Sequence, residues 1–403
     1  LLSDEAAARD AALRELEDSA RGLERTAIRA AYFCSGCPHN TSTVVPEGSK
    51  ALGATGCHGL AQFMPVRRTL PTVSMGQEGM PWVAAQSFVD APHMFQNLGD
   101  GTYVHSGSLA IRAAVAAGVP ITYKILFNDA VAMTGGQPHD GPLSVERITC
   151  QVAAEGVARI AVVSDEPRKY RRGASLAPGT SVHHRDALDG VQRALRDWSI
   201  EQQAVSVLVY DQTCATERRR RRKRGLVADP PRYPYINTAV CEGCGDCSVQ
   251  SNCVSIEPVE TSFGTKRRVN LASCNKDFSC VKGFCPAFVT VENARPRRGR
   301  DHAEDDGFPV LADPPQAALD RPYSILVTGI GGTGVVTLGA LVGMAAHLEG
   351  KAVTVLDVTG LAQKGGAVLS HLRIAHTPEA ICSTRIGEGE ADALIACDAV
   401  VAD

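Results

Sequence analysis

Short apolar runs and longer amphipathic stretches take turns along most of this chain. Between residue 31 and about residue 214, His93–Leu98, Ile121–Phe127, Ile160–Ser164 and Val205–Tyr210 read as strands. His105–Ala117, Ser144–Val157 and Asp186–Trp198 read as the helices between them. That alternation predicts an α/β fold, a doubly wound and mainly parallel sheet. The pattern restarts near the carboxyl end. Ser324–Thr328 is a strand, Gly329–Gly334 a glycine-rich turn, Val335–Leu348 a helix and Ala352–Asp357 a second strand, followed by the strand-like run Ala393–Val401. An Ala/Glu/Arg-rich stretch, Asp4–Ala31, reads as helix.

With 403 residues, 44% of them hydrophobic, the chain has material for two or three domains with real cores. It carries no apolar run of membrane-spanning length and no charged-then-apolar leader, so a cytoplasmic protein without a membrane partner is expected. The first residue is Leu1 rather than methionine, and a segment of a longer polypeptide is the expectation. Net charge is only −3, but Arg218 to Arg224 is an unbroken run of seven basic residues. Such a run is most often a solvated surface; nucleic-acid binding, docking of an acidic electron acceptor and screening of nearby negative charge are its functional readings. No nucleic-acid partner is expected.

Seven of the fourteen cysteines lie between Cys241 and Cys285. The spacing Cys241-x2-Cys244-x2-Cys247, closed by Cys285-Pro286, is that of a bacterial ferredoxin-type iron–sulfur motif, in which the fourth cysteine of each set comes from the other one. It assigns Cys241, Cys244, Cys247 and Cys285 to one [4Fe-4S] cluster. The second set departs from the pattern: Cys274-x2-Asp277-x2-Cys280 has an aspartate in the middle position. Cys253, Cys274 and Cys280 would hold a second cluster, with Asp277 either an oxygen ligand or the neighbour of a three-iron cluster. Structural zinc is the competing reading, since it also uses paired thiolates.

A further constellation is built of oxygen donors. Gly99-Asp100-Gly101 follows a predicted strand and opens a helix, and Asn128 ends the next strand. Mg²⁺ prefers hard oxygen ligands and keeps diphosphate oxygens among them, and adjacent parallel strands bring their carboxyl ends together. Asp100, Asn128 and the Ala130 carbonyl would then hold Mg²⁺, with the glycines letting backbone approach a diphosphate. An ordinary βαβ turn is the bland alternative. Cys34-x2-Cys37, Cys57-His58 and Cys214 surround this region in sequence, with His39 beside them, and could carry a third cluster, a redox pair or zinc.

Taken together, Phe33–Asn40, Gly99-Asp-Gly101, Met133-Thr-Gly-Gly-Gln137, the ferredoxin-type cysteines, the Gly329 loop and Leu361-Ala-Gln-Lys-Gly-Gly366 resemble the 2-oxoacid:ferredoxin oxidoreductases, most nearly the fused indolepyruvate type. The resemblance implies residues 1–30 as a helical lead-in and 31–224 as a domain binding thiamine diphosphate and Mg²⁺. It further implies a ferredoxin-like α+β domain at 235–293, a linker at 294–322, and the start of a Rossmann-like gamma domain at 323–403. It implies thiamine-dependent oxidative decarboxylation of an aryl 2-oxoacid, electrons passing through two or three clusters to ferredoxin and the acyl group to coenzyme A. Cys34, Cys37, Cys57 and Cys214 match the cluster nearest thiamine; Gly135 and Gly136 join the cofactor loop. Met133 stands where pyruvate-using relatives carry asparagine, which suits a larger substrate, and His39, His58 and Met133 are the pocket candidates. A homo-oligomer is expected, as is a thiamine-pyrimidine domain lying before Leu1, without which this segment would be inactive. The alternatives are the electron-transfer part of a pyruvate or branched-chain oxidoreductase, and a zinc-stabilised basic binding protein.

Overall fold

The computed structural model describes residues 31–170, 175–294, 318–362 and 365–403, together with Arg14. Apart from Arg14, which is helical, the 1–30 lead-in lies outside the described residues. So do residues 295–317 of the 294–322 linker, and Gln363 and Lys364. The chain divides into two compact units, Phe33–Gly299 and the remainder.

In the first unit the both-face-apolar runs become the middle of one seven-stranded sheet. Its strands are β1 (Ala51–Gly53), β2 (Thr69–Thr72), β3 (Met94–Gly99), β4 (Ile121–Phe127), β5 (Arg159–Ser164), β6 (Ser181–His184) and β7 (Ser206–Asp211). They lie in the order β2-β1-β3-β4-β7-β5-β6, and every pairing is parallel. Successive side chains alternate between faces, so one strand feeds two cores. Tyr123, Ile125, Val207 and Val209 pack on one side with Ile111 of α1 (Ser108–Ala117) and Ile148 of α2 (Val145–Ala154). Leu126, Leu208 and Tyr210 pack on the other with Leu188 and Leu195 of α3 (Leu188–Gln202). Helices on both faces make this the doubly wound α/β architecture that the alternation predicts.

Two details differ from the sequence reading. The chain already turns at Asp100, and Tyr103–Gly107 forms a widened π-type turn before α1. Gly107 permits it, because a Cβ there would lie 2.7 Å from Leu98. The strands β1, β2 and β6 lack a long apolar run, being short and, for β2 and β6, at the sheet edges.

After β7, the basic run forms α4 (Ala215–Lys223). The cysteine-rich lobe follows. Its outer strands β8 (Arg232–Ile236) and β11 (Phe288–Glu292) pair antiparallel and enclose the hairpin β9 (Ile256–Thr261) and β10 (Gly264–Val269). Closing the lobe on itself in this way brings the Cys241 end of the segment to the Cys285 end. The Asn237 N–H bonds to the Ala287 carbonyl at 2.8 Å.

The second unit contains β12 (Tyr323–Ile330), α5 (Val335–Leu348), β13 (Ala352–Val358), β14 (Ala367–Ala375) and β15 (Ala393–Ala396), in the sheet order β13-β14-β12-β15. Only β15 runs parallel to β12; β14 is antiparallel to both neighbours. The sheet is therefore mixed rather than the all-parallel pattern that a Rossmann-like start suggests. The cause is connection length: Thr359–Gly366 is too short for the helical crossover a parallel return needs. The run expected as one strand from Ala393 to Val401 stops at Ala396, and Asp398 caps a short helix, Ala399–Ala402, by accepting from the Val400 and Val401 N–H groups. Gly331 is demanded by the fold, since a Cβ would come within 1.6 Å of the Ala362 carbonyl oxygen.

Candidate functional site

β3 and β4 are hydrogen-bonded neighbours, so the residues just past their carboxyl ends face one another. Asp100, 2% exposed, uses that position fully. Its Oδ1 accepts from the Gly101 N–H at 2.9 Å, and its Oδ2 from the N–H groups of Asn128 at 2.8 Å and Asp129 at 3.0 Å. One carboxylate thus ties the end of β4 to the end of β3. The Asn128 backbone carbonyl accepts from Cys214 N–H at 2.8 Å, while its side-chain Oδ1 is buried without a hydrogen-bond partner. His139 Nε2 stands 3.2 Å from Asp100 Oδ2, within ion-pair distance but without hydrogen-bond alignment, and the carboxylate raises the imidazole above its ordinary value.

These groups open onto a cavity of about 450 Å³, whose wall also includes His39, Cys57, His58, Ala130 and Met133. The structure therefore gathers the oxygen donors Asp100, Asn128 and Ala130 and all three pocket candidates around one space. His58 meets His39 edge-on, with centroids 5.7 Å apart. Its Nε2 finds no partner, and burial, helped by the Lys124 charge, pushes its imidazole down to about 4. The glycines have separate jobs. A Cβ on Gly99 would lie 3.0 Å from the His58 ring, so Gly99 seats the histidine, whereas the same position on Gly101 meets only Val131 at 3.7 Å and is open. Gly135 and Gly136 both hold positive φ, 123° and 86°, in a loop closed by Val131 N–H to the Gln137 carbonyl at 2.8 Å.

Sequence reasoning missed the purpose of the basic run. On α4, Arg221 pairs with Asp129 at 2.7 Å and Arg220 donates to the Gly135 carbonyl at 2.5 Å, so two arginines brace the loop beside Asn128. Arg218 pairs with Asp165 at 3.0 Å. Arg219 donates to the Ser273 carbonyl at 3.2 Å and Arg222 to the Asn275 carbonyl at 3.0 Å, both on the cysteine-rich lobe. The spacing offered one signal: Cys214 and the carboxyl end of β7 lead directly into these arginines, which places them at the edge where the cavity opens.

The cysteines assigned to clusters lie in several places. Cys241, Cys244, Cys247 and Cys285 line one cavity of about 390 Å³, which Cys280 also reaches. Cys253, Cys274 and Cys280 stand near enough that their charges oppose one another; burial first, and then those neighbours, push the Cys280 thiol up to about 12. Cys57 lies on the wall of the larger cavity and Cys214 at the start of α4. Cys34 and Cys37 close a tight turn, Cys37 N–H to Cys34 carbonyl at 3.0 Å, which packs on the Cys274–Cys280 segment. Asp277 turns its carboxylate to Arg185 and Gln212. Among the described residues no three His, Cys, Asp or Glu side chains form a ready-made site for a single metal ion, and no helix is long and apolar enough to cross a membrane.

Residues 324–403 match the family model described as Pyruvate ferredoxin/flavodoxin oxidoreductase. The indolepyruvate oxidoreductase subunit IorB of Thermococcus kodakarensis is 34% identical over 82 residues, 20% of this chain and 39% of that one. Subunit IorA of Archaeoglobus fulgidus is 27% identical over 280 residues, 64% of this chain and 39% of that one. The chain thus spans about two fifths of the length of each of these relatives. Among solved structures, the 2-oxoglutarate:ferredoxin oxidoreductase of Magnetococcus marinus overlays at 15% identity with a TM-score of 0.32, covering 46% of this chain and 65% of that one. An α/β chain with oxygen donors at the carboxyl edge of a parallel sheet and a cysteine-rich lobe beside it is the class defined here. By these matches residues 324–403 are similar to the oxidoreductase family of that model, and 64% of the chain is similar to an IorA subunit.

Proposed function

We propose that this chain carries the diphosphate-binding and electron-transfer parts of an indolepyruvate-type 2-oxoacid:ferredoxin oxidoreductase of the cytoplasm. The observation that carries the reading is the buried, unpartnered Asn128 Oδ1 beside the Asp100 carboxylate on the cavity wall. An orphaned carbonyl oxygen next to a carboxylate is a donor set suited to Mg²⁺, and the fit extends to the Ala130 backbone at the same wall. Asp100, Asn128 and Ala130 would hold the ion, and the open side of Gly101, with the Gly135–Gly136 loop, would face the diphosphate. Bound thiamine diphosphate would supply the carbanion chemistry of decarboxylation.

The protein's own contribution is positional. Asp100 fixes both strand ends, His58 stays neutral in a dry wall, and Met133 offers a flexible apolar surface to an aromatic substrate. The thiols of Cys241, Cys244, Cys247 and Cys285 share a cavity, as a four-thiolate cluster requires. The set Cys253, Cys274 and Cys280 is the second cluster site, and Cys34, Cys37, Cys57 and Cys214 the third. Ferredoxin as acceptor, coenzyme A as co-substrate and an oligomeric assembly complete the proposal. Indolepyruvate is supported by the two relatives' names and by Met133.

The test is calorimetric titration of the anaerobically reconstituted chain with thiamine diphosphate, with and without Mg²⁺, followed by iron analysis. Mg²⁺-dependent binding that Asn128→Ala weakens is expected, with about eleven or twelve irons per chain, according to whether the Cys253, Cys274 and Cys280 set holds three or four irons. Stoichiometric zinc with no visible colour would overturn the proposal.

A further inference from the structure

Resting on the reading that Cys253, Cys274 and Cys280 hold an iron–sulfur cluster, we propose that Asp277 is not an iron ligand but the peg that fastens the cysteine-rich lobe to the seven-stranded sheet. The cluster then has three protein thiolates and one corner without a protein ligand.

Asp277 occupies the place where the C-x2-C-x2-C spacing would put a thiolate. Its carboxylate is already engaged. Oδ1 accepts from Arg185 Nη1 at 2.5 Å and from Gln212 Nε2 at 2.6 Å, and Oδ2 accepts from the Ser279 N–H at 3.3 Å. Arg185 uses its other arm on the Asp277 backbone carbonyl at 2.7 Å, so guanidinium and residue interlock at two points. Both donors come from the sheet: Arg185 follows β6, and Gln212 follows β7, held in orientation by a 2.8 Å bond from the Tyr210 hydroxyl to its Oε1. The contact is built rather than incidental. The side chains of Arg185 and Asp277 are 11% and 10% exposed, and Gln212 is 4% exposed.

The backbone around the peg is shaped to match. Gly36 lies against Asp277 so closely that a Cβ, at φ +61°, would come within 2.8 Å of the Asp277 Cβ. Asn275 Nδ2 donates to the Ser35 carbonyl at 2.8 Å. For Asp277 to reach an iron atom, it would have to leave a buried guanidinium without its charge partner, which is strongly unfavourable. The replacement of cysteine by aspartate therefore exchanges one cluster ligand for a buried ion pair, at the point where the two cysteine loops Cys34–Cys37 and Cys274–Cys280 press together.

The experiment compares the intact chain with Asp277→Asn, Asp277→Cys and Arg185→Gln. The readouts are electron paramagnetic resonance of the oxidised protein, iron content, and hydrogen exchange of the lobe amides 253–288. The expected result is a paramagnetic three-iron signal in the wild type that survives Asp277→Asn. Asp277→Cys should convert it to a four-iron cluster, with one more iron per chain. Asp277→Asn and Arg185→Gln should speed lobe exchange to the same degree, roughly ten- to hundredfold, as expected for losing a buried charge-assisted bond. Loss of the signal or of iron in Asp277→Asn, with both retained in Arg185→Gln, would make Asp277 a ligand and overturn the proposal. Unchanged exchange in both variants would overturn the peg. If the wild type binds no iron at this set, the cluster reading itself fails, and the exchange comparison still decides whether Asp277 fastens the lobe.

Discussion

Lys124 is a cation on the central strand β4 with no exposure to solvent. Its Nζ donates to the Val44 carbonyl at 3.0 Å and stands 5.8 Å from the Phe95 ring centre. Burial, with the Arg67 charge adding, pushes the ammonium from 10.5 down to about 7. The sign follows from which state holds the proton. Below pH 7 both folded and unfolded chains are protonated, so the folded state bears the whole penalty. Between pH 7 and 10.5 the unfolded chain binds more protons, so stability rises with pH, and above 10.5 it levels off. At about 1.36 kcal/mol per pH unit the penalty is about 5 kcal/mol. Replacing Lys124 by Met removes it and loses one hydrogen bond of about 1 kcal/mol, from a Val44 residue that is 42% exposed and can be hydrated. Lys124→Met should therefore stabilise this unit by about 2–4 kcal/mol at pH 6, within the range seen when buried charges give way to apolar groups. The gain should shrink by about 3 kcal/mol at pH 9. Both tryptophans, Trp82 and Trp198, lie in the seven-stranded unit, so guanidinium denaturation followed by tryptophan fluorescence reads it directly. A Met variant less stable than wild type at pH 6, or a difference identical at pH 6 and pH 9, would refute the reasoning.

Other consequences follow from the same geometry. Asp100→Ala orphans the buried N–H of Asn128 and the part-buried N–H of Asp129 and should cost about 1–3 kcal/mol for each one left unpaired, read as a fall in melting temperature. Asn128→Ala removes an unpartnered oxygen, so it should weaken Mg²⁺-dependent thiamine diphosphate binding with little change in melting temperature. Gly331→Ala drives a methyl into the Ala362 carbonyl and should destabilise the second unit by more than about 3 kcal/mol while leaving iron content unchanged. Arg221→Ala breaks half-exposed ion pairs with Asp129 and Glu217; the global loss should stay near or below about 1 kcal/mol, but hydrogen exchange over 129–137 should rise. Cys244→Ser should remove about four irons per chain if its set holds one four-iron cluster.

What the chain's pattern disclosed, and what it hid, divides along physical lines. β4 and α5 were legible to the residue, because a strand buried on both faces and an apolar helix that follows a glycine turn each leave an unbroken apolar signature. β1, β2 and β6 were not, since three- and four-residue strands, two of them at sheet edges, need little hydrophobic pattern to be held by a neighbour. The meeting of Asp100 and Asn128 could be foreseen, because adjacent parallel strands align their carboxyl ends. The direction of β14 was hidden in a connection length rather than in any residue type. Asp277 was visible as an anomaly of spacing, but its partners Arg185 and Gln212 are separated from it by 92 and 65 residues, and no local signal joins them.

The basic run shows how composition alone points the wrong way. Seven consecutive positive charges suggest an outward-facing surface, yet α4 stands between three loops that each offer it oxygen atoms. Arg220 and Arg221 reach the Asp129–Gly135 loop, Arg218 reaches Asp165, and Arg219 and Arg222 reach Ala272–Asn275 on the lobe. Because these contacts leave one short helix, a displacement of the lobe must either tilt α4 or break bonds at one of its sides, so the loop beside Asn128 and the Cys274 segment are mechanically tied. The charge also reaches Cys274: burial raises its thiol above the ordinary value, and the Lys276 N–H and ammonium, and least of all Arg222, act against that rise. A helix that braces the cavity loop with one side and reaches the Cys274 segment with the other is suited to arginine, whose rigid planar fork presents several N–H groups in fixed directions to separate acceptors.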